Sequence, residues 1–184
     1  MDRVYNYEIL KEIKDRWSRR ALADDVIKEE INALLEAARY APSCYNEQPW
    51  RFVISDSESK RIIIENALTE GNREWAFKAS HLILVVNKKE FSHNGKINKW
   101  AEFDTGIAVG YLMLEAERRG LIAHPMGGFS KDRLFDLKLD WEEYSPIVIL
   151  AIGSKGDVNS LSKENQNREN PGLRNDLKKL ILKR

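Results

Sequence analysis

Two prolines, Pro42 and Pro49, bracket the stretch A-P-S-C-Y-N-E-Q-P-W, Ala41 to Trp50, and no regular element can run through it. Each proline lacks a backbone donor and pushes the residue before it out of the helical region. A helix arriving from the N-terminal side must therefore stop at Ala41, and Gln48 should be extended. Between the prolines lie Ser43, Asn46 and Gln48, three neutral hydrogen-bonding side chains, among apolar neighbours. Binding groups concentrate on loops carried by a rigid scaffold, which makes this fixed, partly extended loop the first candidate site.

The scaffold can be read outward from that loop. Ile27, Ile31, Leu34, Leu35 and Ala38 form one apolar face of a helix capped by Asp24 or Asp25 and ended before Pro42. Upstream, Ile9, Ile13 and Trp17 recur at helical spacing and predict a first helix from about Tyr5 to Arg16. Downstream, Phe52 to Ile54 reads as a short strand, and Ser57 caps a helix that contains Ile62, Ile63 and Leu68 and gives way at Gly71. A short helical piece with Trp75 and Phe77 follows, then Leu82 to Val86, whose unbroken apolar character suits a strand buried on both faces.

The segment Ser92 to Lys99 is a polar surface loop. The longest helix runs from Glu102 or Asp104 to Gly120, and it carries Gly106 and Gly110, which should mark a close approach by something to that helix. Leu121 to Phe129 contains Pro125 and Gly127-Gly128 and should have unusual backbone geometry. Ser130 caps a short helix through Leu137, and Ile147 to Ile152 is another continuous apolar strand. After Gly153 the chain turns polar until an amphipathic end with Leu173, Leu177, Leu180 and Ile181, which needs a surface to lie on. The order of elements gives an α+β fold, three layers around a small mixed or antiparallel sheet.

At 184 residues and 42% hydrophobic, the chain can bury its core as one domain without disulfides, and its lone cysteine, Cys44, has no internal partner. Those features predict a cytoplasmic protein. No apolar run approaches the roughly 20 residues that span a bilayer. The net charge of +1 argues against a general nucleic-acid surface. No G-x-G-x-x-G follows a strand, no phosphate-loop motif occurs, and His81, His93 and His124 lack metal-ligand spacing. Cys44 with His124 is a poor nucleophile and base pair beside a plain packing role for the thiol. In R-W-S-R-R, Arg16, Ser18 and Arg20 alternate, so an extended stretch would offer two guanidinium groups and a hydroxyl to one oxyanion.

Taken together these segments resemble the nitroreductase family of flavin enzymes. The family's R-R-S-x-R is similar to Arg16-Trp17-Ser18-Arg19-Arg20, with Trp17 at the second position, and its A-P-S-x-x-N-x-Q-P-W is matched by Ala41 to Trp50. Asn72, then Ala79-Ser80-His81 before an apolar strand, resembles a further family pattern. So do Asp104, Gly106, Ala108, Leu112, Leu114 and Ala116 closed by Gly120-Leu121, then Gly127-Gly128-Phe129, then Pro146 to Gly153.

The resemblance implies FMN as cofactor, NADH or NADPH as transient hydride donor, and a homodimer with the flavin at the subunit interface. It implies that Arg16, Ser18 and Arg20, with Trp17 beside them, hold the phosphate, ribityl chain or pyrimidine edge. Asn72 would bond the pyrimidine side, and Pro125, Met126, Gly127 and Gly128 would bring backbone amides to the ring. Pro42, Ser43, Cys44 and Asn46, with Gln48, would line the flavin of the other subunit. Lys163 and Arg168 are both candidates for a late phosphate contact. Residues 154–184 then read as a C-terminal extension of one domain spanning 1–184, packing on the partner subunit. The implied activity is ping-pong electron transfer to a nitroaromatic, quinone or similar small acceptor, carried by the flavin with no dedicated catalytic side chain. A flavin reductase or dehalogenase of the same fold and an FMN storage or sensor protein are the alternatives.

Overall fold

A computed structural model describes residues 3–182. In chain order the elements are α1 (Lys11–Asp15), β1 (Leu22–Ala23), α2 (Lys28–Arg39), β2 (Trp50–Ile54), α3 (Glu58–Ala67), α4 (Glu70–Ala76) and β3 (His81–Lys88), followed by α5 (Ala101–Arg118), β4 (Ile122–Met126), β5 (Tyr144–Lys155), α6 (Lys163–Asn167) and α7 (Leu177–Leu180). Among the described residues every strand pairing is antiparallel. Residues Ile149 to Ile152 of β5 pair with both β3 and β4, so β5 lies between them, with β2 outside β3. The far end of β5, Ser154 and Lys155, pairs with β1.

Side-chain alternation divides the core into two layers. Leu82, Leu84 and Val86 of β3 and Ile149 and Ala151 of β5 pack with Ile64, Trp75 and Leu134 on one face. Ile83 and Val85, with Leu150 and Ile152, pack on the other face with Ile31 and Leu34 of α2 and Ala108 and Leu112 of α5. Both faces are covered, which is why these strands read as unbroken apolar runs and why the fold has three layers.

Several boundaries differ from the sequence expectation. Helix α1 is five residues long instead of running from Tyr5, and Tyr5, Tyr7 and Ile9 stay exposed. Helix α2 begins at Lys28 behind Ile27, with no side-chain cap from Asp24 or Asp25. Ser57 does cap α3, accepting from the Lys60 amide at 3.5 Å. That helix ends at Ala67, however, and Gly71 lies inside α4. Residues 132–137 form a 3₁₀ helix whose N-cap is Lys131, while the Ser130 amide is taken by Ala67 O at 2.8 Å.

The segment expected to have unusual backbone is instead strand β4. It pairs only with β5, and an edge strand tolerates Pro125. Neither Gly127 nor Gly128 has a positive φ; among the glycines that conformation is found at Gly95 and at Gly120 (φ 74), which ends α5 with Leu121 N donating to Ala116 O at 2.8 Å. A Cβ on Gly106 or Gly110 would meet nothing of this chain within 4 Å, so no element of the same chain makes the expected close approach. No helix among the described residues is long and apolar enough to cross a membrane.

Candidate active site

The segment 16–20 follows α1 and leads into β1. It is not extended throughout: Arg19 N donates to Trp17 O at 3.1 Å, a three-residue turn around Ser18 that breaks the simple alternation of Arg16, Ser18 and Arg20. The Arg19 guanidinium lies 4.4 Å from the centre of the Trp17 ring. Two features fix the far end of the segment. The backbone amides of Arg20 and Ala21 donate to the Glu169 carboxylate at 3.0–3.2 Å. Gly156 N donates to Ala21 O at 2.9 Å, and a Cβ on Gly156 would stand 2.4 Å from Leu22 O.

Arg16 is half-buried, and its pKa is lowered first by that burial and then by Arg3 and Arg174. Arg3 donates from Nη1 to Lys14 O and Arg16 O, both at 3.0 Å, and from Nε to Gly172 O at 3.3 Å. Arg174 donates to Gly172 O at 3.0 Å. Among the described residues no carboxylate forms an ion pair with any of these three arginines. They line a cavity of about 770 Å³ together with Tyr5, Leu114 and Leu177. Three guanidinium groups with no ion-pair partner among the described residues, on a cavity whose lining also includes Asp176, make this a place suited to a phosphate or carboxylate.

Arg20 reaches the tail, donating from Nη1 to Arg168 O at 3.4 Å. The two late candidates do not line the cavity. Lys163 donates to Gln166 Oε1 at 3.1 Å, and the Arg168 guanidinium pairs with Glu164 at 2.8 Å, facing solvent. Sequence reasoning missed Arg3 and Arg174. The signal for Arg174 was its place between Leu173 and Leu177, at the head of the amphipathic end.

Strand β4 carries His124 toward the same region. Its Nδ1 donates to Arg19 O at 2.8 Å, and its ring stacks on Trp75 with centroids 4.4 Å apart. Burial, with smaller contributions from Arg20 and Arg16, outweighs the Arg19 bond and lowers its pKa to about 4, so the ring is neutral near pH 7. Three residues before Trp75, Asn72 donates from Nδ2 to Gly128 O at 3.1 Å. A Cβ on Gly128 would lie 2.8 Å from that Nδ2 and 3.0 Å from Thr69 Oγ1, so a side chain at this position would displace the amide. Asn72 Oδ1 has no partner among the described residues. The structure thus joins Asn72 with Gly128 at the end of β4, and links the segment 16–20 to β4 through His124.

The Pro42–Pro49 loop lies elsewhere. Tyr45, Asn46 and Gln48 adopt left-handed backbone, with φ of 53, 55 and 51°. Gln48 is therefore not extended, although Pro49 follows it. Such a conformation costs roughly 1–2 kcal/mol for residues like Tyr and Gln, so the surroundings must impose it. Two bonds do so: Ser43 Oγ accepts from Gln48 N at 2.9 Å, and Asp104 Oδ2 accepts from Cys44 N at 2.9 Å. Asp104 is buried in the first turn of α5. Pro42, Ser43 and Cys44 face Trp100, Phe103 and Ile107 across a shallow cavity of about 290 Å³. Cys44 is thus tied to the start of α5 and His124 to Arg19 and Trp75, which leaves them no catalytic pairing.

The two regions sit at opposite ends of one helix. Asp104 holds the loop, while Leu114 lines the arginine cavity and Glu117 contributes to the field at Arg16. From residue 104 to residue 117 an α-helix rises about 20 Å. Along its length α5 shows an outward face with Phe103, Gly106 and Tyr111 exposed and Gly110 half-buried.

The Nitroreductase family profile matches residues 13–154, and the chain belongs to that family. A Bacillus subtilis protein provisionally named NAD(P)H nitroreductase YdgI is 28% identical over 169 residues, covering 72% of this chain and 80% of its own. An NADH dehydrogenase of Thermus thermophilus is 30% identical over 151 residues, covering 66% and 74%. A crystal structure of an oxidoreductase containing FMN superimposes with a TM-score of 0.91 at 35% identity, covering 98% of this chain and 93% of that one.

Proposed function

We propose that this chain is an FMN-dependent oxidoreductase that moves electrons from NADH or NADPH to a nitroaromatic, quinone or similar small acceptor in a cytoplasmic setting. It would work as a two-fold homodimer with each flavin shared between copies. The observation that carries this reading is the divided site: an unpaired arginine cluster at one end of α5 and a strained loop about 20 Å away at the other. One chain cannot close both around a single flavin ring. A second copy crossing the exposed face of α5 in the opposite sense would bring its loop to the first copy's cluster. Gly106 and Gly110, open on that face, would let the two helices approach closely.

The residues fit the cofactor. Arg16 and Arg174, steadied by Arg3, would hold its phosphate, while Ser18 and Arg20 would hold the ribityl chain or the pyrimidine edge. Asn72 would offer its free Oδ1 to a ring N–H, and glycine at 128 keeps that amide in place. Backbone amides from Met126 to Gly128 would approach the ring edge, with Pro125 fixing the strand before them. Pro42, Ser43, Cys44 and Asn46 of a second copy would cover the ring and keep water from it. The C-terminal Leu173, Leu177, Leu180 and Ile181 are exposed and would find their cover on that copy. When bound, FMN would supply hydride acceptance from the nicotinamide and onward electron delivery in a ping-pong cycle, so no side chain has to act as acid or base.

The test is direct. Purified protein mixed with FMN should turn yellow and stay so through gel filtration, and anaerobic NADH or NADPH should bleach it within seconds. A protein that remains colourless sinks the proposal. Bound flavin that stays oxidised would point instead to storage or sensing.

A further inference from the structure

The hairpin between β3 and α5 has no part in the reading above. It is closed by a Glu90↔Ile97 bridge, by Phe91 N donating to Lys96 O at 2.8 Å, and by Gly95 at a φ of 67°. It is also fastened to the strained loop. The Glu47 carboxylate, its side chain 6% exposed, accepts from Ser92 N at 2.9 Å and from Ser92 Oγ at 2.5 Å. Burial works against the charged form of Glu47, but the Ser92 bonds and the nearby Lys88 and His93 outweigh it and hold the carboxyl below its ordinary value.

This anchorage brings three rings together. Tyr45 meets Phe91 edge-on at 5.8 Å between centroids and His93 at 5.6 Å, and Phe91 and His93 are 5.3 Å apart. Tyr45 is nevertheless 81% exposed, held outward by its left-handed backbone. An aromatic cluster fixed in place but open on one side has a free stacking surface. The hairpin carries four lysines; Lys88 is paired with Glu143 at 3.6 Å and Lys89 donates to Trp141 O at 2.7 Å, which leaves Lys96 and Lys99 as its cations without a side-chain partner among the described residues.

We propose that Tyr45, Phe91 and His93 form the wall against which the electron acceptor stacks, and that the acceptor is a planar aromatic anion whose negative group meets the hairpin lysines. The inference rests on the proposed function, since the Pro42–Pro49 loop that carries Tyr45 is the one assigned to the flavin of a second copy. The wall determines which acceptor is taken; Glu47 is a positioning residue that holds it.

The experiment uses the FMN-loaded dimer with a matched pair of acceptors, 4-nitrobenzoate and its neutral amide. In the parent protein kcat/KM should favour the benzoate about tenfold at low salt, and added salt should shrink the preference. Lys96→Gln with Lys99→Gln should bring the ratio close to one. Phe91→Ala should lower kcat/KM for both acceptors by up to about tenfold while the bound FMN per chain is unchanged. Equal use of the two acceptors by the parent protein, or a ratio unmoved in the double variant, overturns the anion assignment. Undiminished rates in Phe91→Ala overturn the wall. A parent protein that takes up no FMN overturns the proposed function itself, and this inference with it.

Discussion

The arginine cluster and the Pro42–Pro49 loop are built in opposite ways. The cluster is assembled within one chain from distant segments, since Arg3 binds carbonyls of residues 14, 16 and 172 and thereby joins both ends of the sequence to α1. Its three arginines line one cavity and form no ion pair among the described residues. The loop is compact in sequence and strained in backbone, held by Asp104 and Ser43, and it turns its apolar side outward beside Trp100 and Phe103. A region that gathers inward is complete when its ligand arrives. One that is stiffened and aimed outward is organised for something outside its own chain.

Mixed dimers would break this comparison most decisively. Arg16→Ala damages the cluster and Asp104→Ala releases the loop, so each homodimer should bind FMN at least tenfold more weakly. In a dimer containing one copy of each variant, one site combines the intact cluster with the intact loop. Purified through two affinity tags, mixed dimers should regain half the wild-type FMN content. If they stay empty, the copies do not share their sites.

A smaller effect would sharpen the account of the cluster. Arg174→Ala should weaken FMN binding about ten- to a hundredfold, the weight of a charge-assisted contact, whereas Lys163→Ala should leave the dissociation constant unaltered. Fluorescence titration of free FMN measures both, and the reverse order would return the late phosphate contact to Lys163.

The smallest expected effect concerns His124, which joins the cluster side to β4. Its folded pKa of about 4 lies below the unfolded value, so the unfolded chain binds the extra proton first as pH falls. Stability is full above about pH 6.5 and is lost as pH falls toward 4, with about 2 kcal/mol gone by pH 5. His124→Phe should flatten that slope in chemical denaturation series. An unchanged slope would assign the loss to other groups.

Much of the fold was legible because burial on both faces leaves a plain trace. Leu82–Val86 and Ile147–Ile152 read as strands, and Gly120 marked the end of α5. What escaped was short or contrary to propensity. Strand β1 is two residues long, too short for any period, and β4 hid behind Pro125. Ile9, Ile13 and Trp17 had helical spacing, but α1 buries no residue, so the period carried only the five residues from Lys11 to Asp15. Strain was sought at Gly127-Gly128 and found at Tyr45, Asn46 and Gln48, because the bonds from Asp104 and Ser43 that impose it come from outside those residues. Residues 16–20 and Asn72 could be picked out as motifs. Arg3 had no such signal and Arg174 only its place at the head of the amphipathic end, since folding alone brings the two to Arg16.

The Glu169 carboxylate gives the boundary of this protein a practical meaning. The family profile ends at residue 154, and a fragment trimmed there would lose Lys155 from β5, and with it one of the two pairs to β1, while leaving the Arg20 and Ala21 amides without their carboxylate. The stretch that the family profile matches and the stretch that fastens residues 20 and 21 are therefore not the same length. Any graft, truncation or fusion that respects only the recognisable core would preserve the architecture and unlatch the segment that it is meant to present.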